Sequence, residues 1–182
     1  MLKQGEIIAF KTDTVWGFGC NIKDEIAVNK IYEIKKRDLK KPLIIMSDEY
    51  DSIKKYIDYI PDYAHDLMEK HLPGALTLIF KKSFLCPDYI TAGGDRIGIR
   101  IPDSEDFRQI ISNIKEGALA TTSCNIAGEP PVLTYQEALE KFSDVATIIK
   151  PIEDITNENI PSTVILCEEN KYEILRQGAL IL

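Results

Sequence analysis

Ala120-Thr121-Thr122-Ser123-Cys124-Asn125-Ile126-Ala127-Gly128-Glu129-Pro130-Pro131 is the stretch on which the reading of this chain turns. Gly117-Ala118-Leu119-Ala120 leads into it, small and apolar enough to enter a sheet core. Three hydroxyl residues and an asparagine then arrive together, and Gly128, Pro130 and Pro131 force the chain to turn. A strand that runs out into a hydroxyl-rich, glycine-containing loop lets backbone N–H groups approach an anion, and places a site at the end of an α/β sheet. The same residue types also build ordinary turns, so this stretch alone leaves both readings open.

Working outward, the 182 residues are read as one domain, 1–182, long enough to bury a substantial core. Apolar content of 45% and charged content of 28% are those of a globular protein. No apolar run approaches the ~20 residues of a membrane span, and Met1-Leu2-Lys3-Gln4-Gly5-Glu6 has no signal-peptide character. A cytoplasmic location without a membrane partner is therefore expected. Cys20, Cys86, Cys124 and Cys167 form no CxxC pair, which argues against a zinc site or a thiol–disulfide motif. His65 and His71 have no partner at ligand spacing, and no metal site is expected. A net charge of −7 speaks against a surface that grips nucleic acid everywhere, although a local basic cluster can do so.

Ile7-Ile8-Ala9-Phe10 reads as a buried strand, followed by Lys11-Thr12-Asp13-Thr14-Val15-Trp16 and two glycines, Gly17 and Gly19, that allow close backbone approach. Asp24 can cap a helix to about Lys36, with Ala27, Val28, Ile31 and Ile34 as its apolar stripe. It ends in Lys35-Lys36-Arg37-Asp38-Leu39-Lys40-Lys41-Pro42, a basic joint suited to polyphosphate, before the strand Leu43–Met46. Helices are predicted over 51–56, 61–72, 104–115 and 134–142, the last from a Thr134…Glu137 capping box. Further strands are predicted over 75–80, 96–102, 146–149, 162–166 and 172–175. In Arg96-Ile97-Gly98-Ile99-Arg100 the isoleucines share one face. Arg96 and Arg100 share the other, with Gly98 leaving room for an anion; a solvated face fits equally well.

There is no Walker loop, GxGxxG, GxSxG or HExxH, and no His stands beside a Ser or Cys. The candidates at the ends of apolar runs are cations and hydroxyls, a set suited to binding a nucleoside triphosphate and steering a substrate that brings its own nucleophile.

Phe10–Cys20 resembles the "PTDTVYGLG" opening of the YrdC-like family of threonylcarbamoyl-adenylate synthases. Six further blocks resemble that family in order: Lys30–Arg37 with Lys41–Ile44, Leu72–Thr77, Ile99–Pro102, Thr122–Gly128, Ser162–Ile165 and Leu175–Gly178. The resemblance implies a single α/β domain with a twisted, open, mixed parallel/antiparallel sheet, flanking helices and a positively lined cleft. It further implies condensation of L-threonine, bicarbonate and ATP, with Mg2+ carried on the nucleotide, and later transfer of the threonylcarbamoyl group to tRNA by partner proteins. By the same resemblance Lys35, Arg37, Ser123, Asn125 and Arg176 serve ATP, with Lys35 and Arg37 catalytic. Thr12, Thr14, Arg100, Thr121 and Ser162 serve threonine and the carboxylated intermediate. Arg96 is added to the ATP set for its place on the Arg100 face. Departures from the family are Lys11 for Pro, Trp16 for Tyr or Phe, and Met46 where many members carry His.

Two other readings follow from the same fold. A hydrogenase-maturation carbamoyltransferase would bring cysteine clusters that this chain lacks. A double-stranded RNA or tRNA-binding paralogue without catalysis would rest on the Lys35–Lys41 cluster, against the overall acidity.

Overall fold

In the computed structural model, which describes residues 2–154 and 159–182, β6 (Leu119–Ser123) lies inside the sheet, antiparallel to both β2 (Gly17–Asn21) and β3 (Ile44–Met46). Thr121, Thr122 and Ser123 therefore belong to the strand itself, and the turn starts only at Cys124. β-Branched threonines suit a strand paired on both edges, which corrects the expectation of a hydroxyl-rich loop. The remaining strands are β1 (Ile8–Phe10), β4 (Leu76–Lys81), β5 (Arg96–Arg100), β7 (Thr147–Ile148), β8 (Thr163–Cys167) and β9 (Tyr172–Arg176). They stand in the order β7-β1-β2-β6-β3-β5-β4-β8-β9. The pairs β1/β7, β3/β5 and β4/β8 are parallel and the other neighbours antiparallel, giving the mixed sheet that was expected.

Strand alternation sorts the residues into two faces. Phe18, Cys20, Ile45, Leu78, Phe80, Ile97, Ile99, Ala120 and Ile165 form the larger core. α1 (Glu25–Lys35), α3 (Asp62–His71) and α5 (Tyr135–Phe142) cover it with Ala27, Val28, Ile31, Ala64, Met68, Ala138 and Phe142. On the other face α4 (Glu105–Ile111) is, among the described residues, the only helix that packs down, seating Phe107 and Ile111 on Ile8, Phe10, Met46 and Leu119. The part of that face beyond α4 is left as an open cleft.

Local signals account for the helix starts. Asp24 accepts the Ala27 N–H at 3.0 Å, and Thr134 accepts that of Glu137 at 3.1 Å. Glu137 reaches back to the Leu133 N–H at 2.9 Å, one residue before the usual capping-box donor. The expected helix over 51–56 divides into α2 (Tyr50–Ile53) and a 3₁₀ turn (Lys54–Tyr56), and the one over 104–115 stops at Ile111. β2 was not foreseen as a strand, because two of its five residues are glycine. A side chain at Gly19 would strike the Phe10 ring, whose edge would lie 2.8 Å from the added Cβ. What approaches these glycines is the protein's own core. Gly98 is similar: a Cβ there would stand 2.7 Å from Ile44 Cγ2, so the space between the two arginines is already filled.

Candidate active site

The cleft has a volume of about 210 Å³ and is walled by the free face of β2, β3, β4, β5, β6 and β8. Arg37, Arg100 and Arg176 line it with Thr12, Thr77, Thr121, Thr122, Ser123 and Ser162, over an apolar floor of Ile44, Met46, Ile79 and Val164. No Asp or Glu is among the described residues on that wall.

Arg100 leaves β5 pointing into the cleft and is only 2% exposed. Its Nε donates to Gly74 O at 3.2 Å, Nη1 to Thr14 Oγ1 at 2.7 Å and Nη2 to Asp13 Oδ1 at 2.5 Å. Burial pulls its pKa down, Asp13 opposes this, and the charge of Arg176 adds to it. Three of five N–H groups are thus used, and two remain. Thr12 shapes the Asp13 turn: its hydroxyl donates to Val15 O at 2.7 Å and accepts the Thr14 N–H at 3.2 Å. Asp13, 87 residues away in sequence, is the partner that sequence reasoning passed over; an acid between two threonines was the available signal.

Arg176, on the edge strand β9, folds back onto Ser162, donating from Nε and Nη2 to its carbonyl at 3.1 and 2.8 Å. The Ser162 hydroxyl meets Thr77 Oγ1 at 2.8 Å. Gly178 makes this possible, since a Cβ there would overlap Pro161 O and the Ser162 backbone. Gly178→Ala should lower stability by about 1–3 kcal/mol and raise the ligand concentration needed for half-saturation, as measured by urea unfolding and titration. Thr121 is fully buried, with its hydroxyl 3.4 Å from Ile44 O.

Arg37 follows Lys36, a left-handed residue (φ 48°) that ends α1 and turns the chain. Its Nε and Nη2 donate to Lys41 O and Pro42 O at 3.1 and 3.0 Å, and burial depresses its pKa. Lys35 lies deeper. It continues the buried stripe four residues after Ile31, is 1% exposed, and stands behind the cleft wall. Its Nζ donates to Ser123 O, Asn125 O and Asn125 Oδ1 at 2.6, 2.8 and 2.6 Å, with the Phe18 ring centroid 5.9 Å away. Burial, then the Arg37 charge, lower its pKa from 10.5 to about 8, with Cys124 opposing. A lysine depressed in the folded state costs stability while charged. The cost is full below pH about 8 and is relieved as pH rises from about 8 to 10.5. Urea melts across that window should show wild type gaining up to about 3 kcal/mol relative to Lys35→Met; a flat difference would show an ordinary lysine.

Arg96 does not join the site. Four residues along β5 put it about 13 Å from Arg100, and it pairs with Glu168 at 2.9 Å instead. Sharing a strand face was a correct reading of the alternation, but Ile44 fills the gap at Gly98. Trp16 and Met46 line the cleft although neither was counted among the site residues. His65 and His71 lie on α3, away from the cleft. Burial raises the Cys124 thiol far above its usual range, which suits a packing residue.

The family model Sua5_yciO_yrdC, described as "Telomere recombination", matches residues 1–178. A putative threonylcarbamoyl-AMP synthase from Methanocaldococcus jannaschii is 38% identical over 180 residues, covering 97% of this chain and 81% of the relative. The threonylcarbamoyl-AMP synthase of Pyrococcus abyssi is 35% identical over 180 residues, covering 98% of this chain but 52% of the relative, so this chain spans about half of that protein. A crystal structure of P. abyssi Sua5 complexed with L-threonine superimposes with a TM-score of 0.89 at 35% identity, over 97% of this chain and 51% of that one. Together with the nine-stranded mixed sheet and its arginine-lined cleft, these matches show that the chain belongs to the Sua5/YciO/YrdC family.

Proposed function

We propose that the cleft joins L-threonine, bicarbonate-derived CO2 and ATP into threonylcarbamoyl-adenylate, releasing pyrophosphate. The observation that carries this reading is the wall itself: three arginines and, among the described residues, no lining carboxylate, in a chain of net charge −7. Such a wall is built for a polyanion and a second anionic substrate together. The names of the M. jannaschii and P. abyssi relatives support the reading over the matched segment.

The two N–H groups that Arg100 has left would take the threonine carboxylate, with the hydroxyls of Thr12, Thr14, Thr121 and Ser162 within the same neighbourhood. Threonine's amine forms an N–C bond to CO2 and releases a proton to water. An oxygen of the resulting carbamate then attacks the α-phosphorus, and the bond from that phosphorus to pyrophosphate breaks, the leaving group taking the electron pair. Arg37 and Arg176 would neutralise the charge that grows on pyrophosphate. Positioning and electrostatics supply the rate, and no side chain is covalently modified. Mg2+ would arrive as part of the nucleotide and be held through phosphate oxygens and water, since the described residues of the wall offer it no carboxylate.

The adenylate would then serve cytoplasmic proteins that pass the threonylcarbamoyl group to an adenosine of tRNA. Among the described residues no helix is long and apolar enough to cross a membrane. Pyrophosphate release with ATP, Mg2+, bicarbonate and L-threonine, omitting each in turn, tests the proposal: release should require all of them. Double-stranded RNA or tRNA binding that persists in a protein blind to ATP and threonine would favour the non-catalytic reading instead.

A further inference from the structure

We propose that Lys35 is a positioning residue and not a ligand of the nucleotide: it clamps the Ser123–Asn125 turn from behind the cleft wall and leaves phosphate contact to Arg37 and Arg176. The inference rests on the reading of the cleft as an ATP site. An ammonium has three N–H donors and no acceptor. All three donors are spent on Ser123 O, Asn125 O and Asn125 Oδ1, at 2.6–2.8 Å, by a side chain that does not reach the cleft surface.

Because an ammonium can only donate, the Asn125 atom facing it has to be the carbonyl oxygen, which sets the orientation of that amide. The same Oδ1 accepts the Ser123 hydroxyl at 2.6 Å, which spends the only proton of that hydroxyl. Asn125 Nδ2 donates to Glu129 O at 2.5 Å. Ser123 Oγ therefore meets the cleft as an acceptor, suited to an amino or hydroxyl group of a nucleotide and not to a phosphate oxygen. A second tie runs from the Ala127 N–H to the Lys35 carbonyl at 2.7 Å, so the last turn of α1 holds the turn at two points. Arg37 and Arg176 differ. Among the described residues Nη1 of each makes no hydrogen bond, and both line the cleft.

Two readouts decide the matter. Amide exchange at Asn125 and Ala127 reports how well the turn is held, with or without nucleotide. The salt dependence of Mg2+–ATP affinity reports the charges that touch phosphate. Lys35→Met should speed exchange at both amides at least tenfold and leave the salt dependence as in wild type. Arg37→Met should weaken the salt dependence and leave exchange within threefold. Unchanged exchange in Lys35→Met, or a salt dependence weakened as in Arg37→Met, overturns the proposal.

If Lys35→Met does not fold, ζ-¹⁵N-lysine-labelled wild type carries the test. The Lys35 ammonium should give a slowly exchanging signal that keeps its shift when Mg2+–ATP is added; a fast-exchanging or strongly shifted signal overturns it. Should wild type bind no ATP, the proposed function fails, while exchange at the turn and the protected ammonium still decide the role of Lys35.

Discussion

Arg100→Met is expected to lower threonine-dependent pyrophosphate release by about 10³-fold, the equivalent of losing ~4 kcal/mol of buried, charge-assisted pairing. Affinity for ATP should stay within about threefold. The variant should also lose about 3–5 kcal/mol of stability, because Asp13, with its side chain only 16% exposed, keeps a charge that nothing compensates. Arg100→Met/Asp13→Asn separates the two effects. Removing both charges should recover most of the stability, as read by urea unfolding, and none of the threonine-dependent activity. Recovery of activity in the double variant would mean that Arg100 serves the fold and not the substrate.

Arg37→Met and Arg176→Met address the other end of the cleft. Each removes a guanidinium from where charge would build on departing pyrophosphate, and each is expected to lower kcat by about 10²–10³-fold, the cost of losing one preorganised donor. Arg176→Lys should recover little, because a lysine cannot hold the Ser162 carbonyl through two N–H groups and still present a third to a ligand. Steady-state rates against ATP concentration decide this. A change confined to KM would mean that these residues bind the ground state and the transition state equally.

The sheet class and most helices were legible because their causes are local. Asp24 and Thr134 cap helices with their own side chains, and the Ile97–Ile99–Ile101 alternation marks a core face within a few residues. The parts that were not legible have causes distant in sequence. The glycines of β2 suggest close approach of something to the backbone, and only the fold shows that it is Phe10 lying across the strand. Arg96 and Arg100 look equivalent until Ile44, from a neighbouring strand, occupies the space between them. Lys35 sits in a run of cations that reads as a joint suited to polyphosphate, and only its spacing from Ile31 hints that it turns inward. Of the residues the family motifs marked, Thr12, Arg37, Arg100, Thr121, Ser123, Ser162 and Arg176 line the cleft, while Thr14, Lys35 and Asn125 do not. The motifs did not reveal that Asp13 backs Arg100, or that Lys35 spends every donor on the turn after β6.

One arginine-lined cleft is proposed to build a carbamate on threonine and join it to AMP. The most direct test is the mass of the adenylate formed from ATP, Mg2+, L-threonine and ¹³C-bicarbonate. Threonylcarbamoyl-adenylate carrying one ¹³C is expected, with pyrophosphate released in equal amount. An adenylate of threonine that carries no bicarbonate carbon, or ATP bound and never consumed, would contradict it.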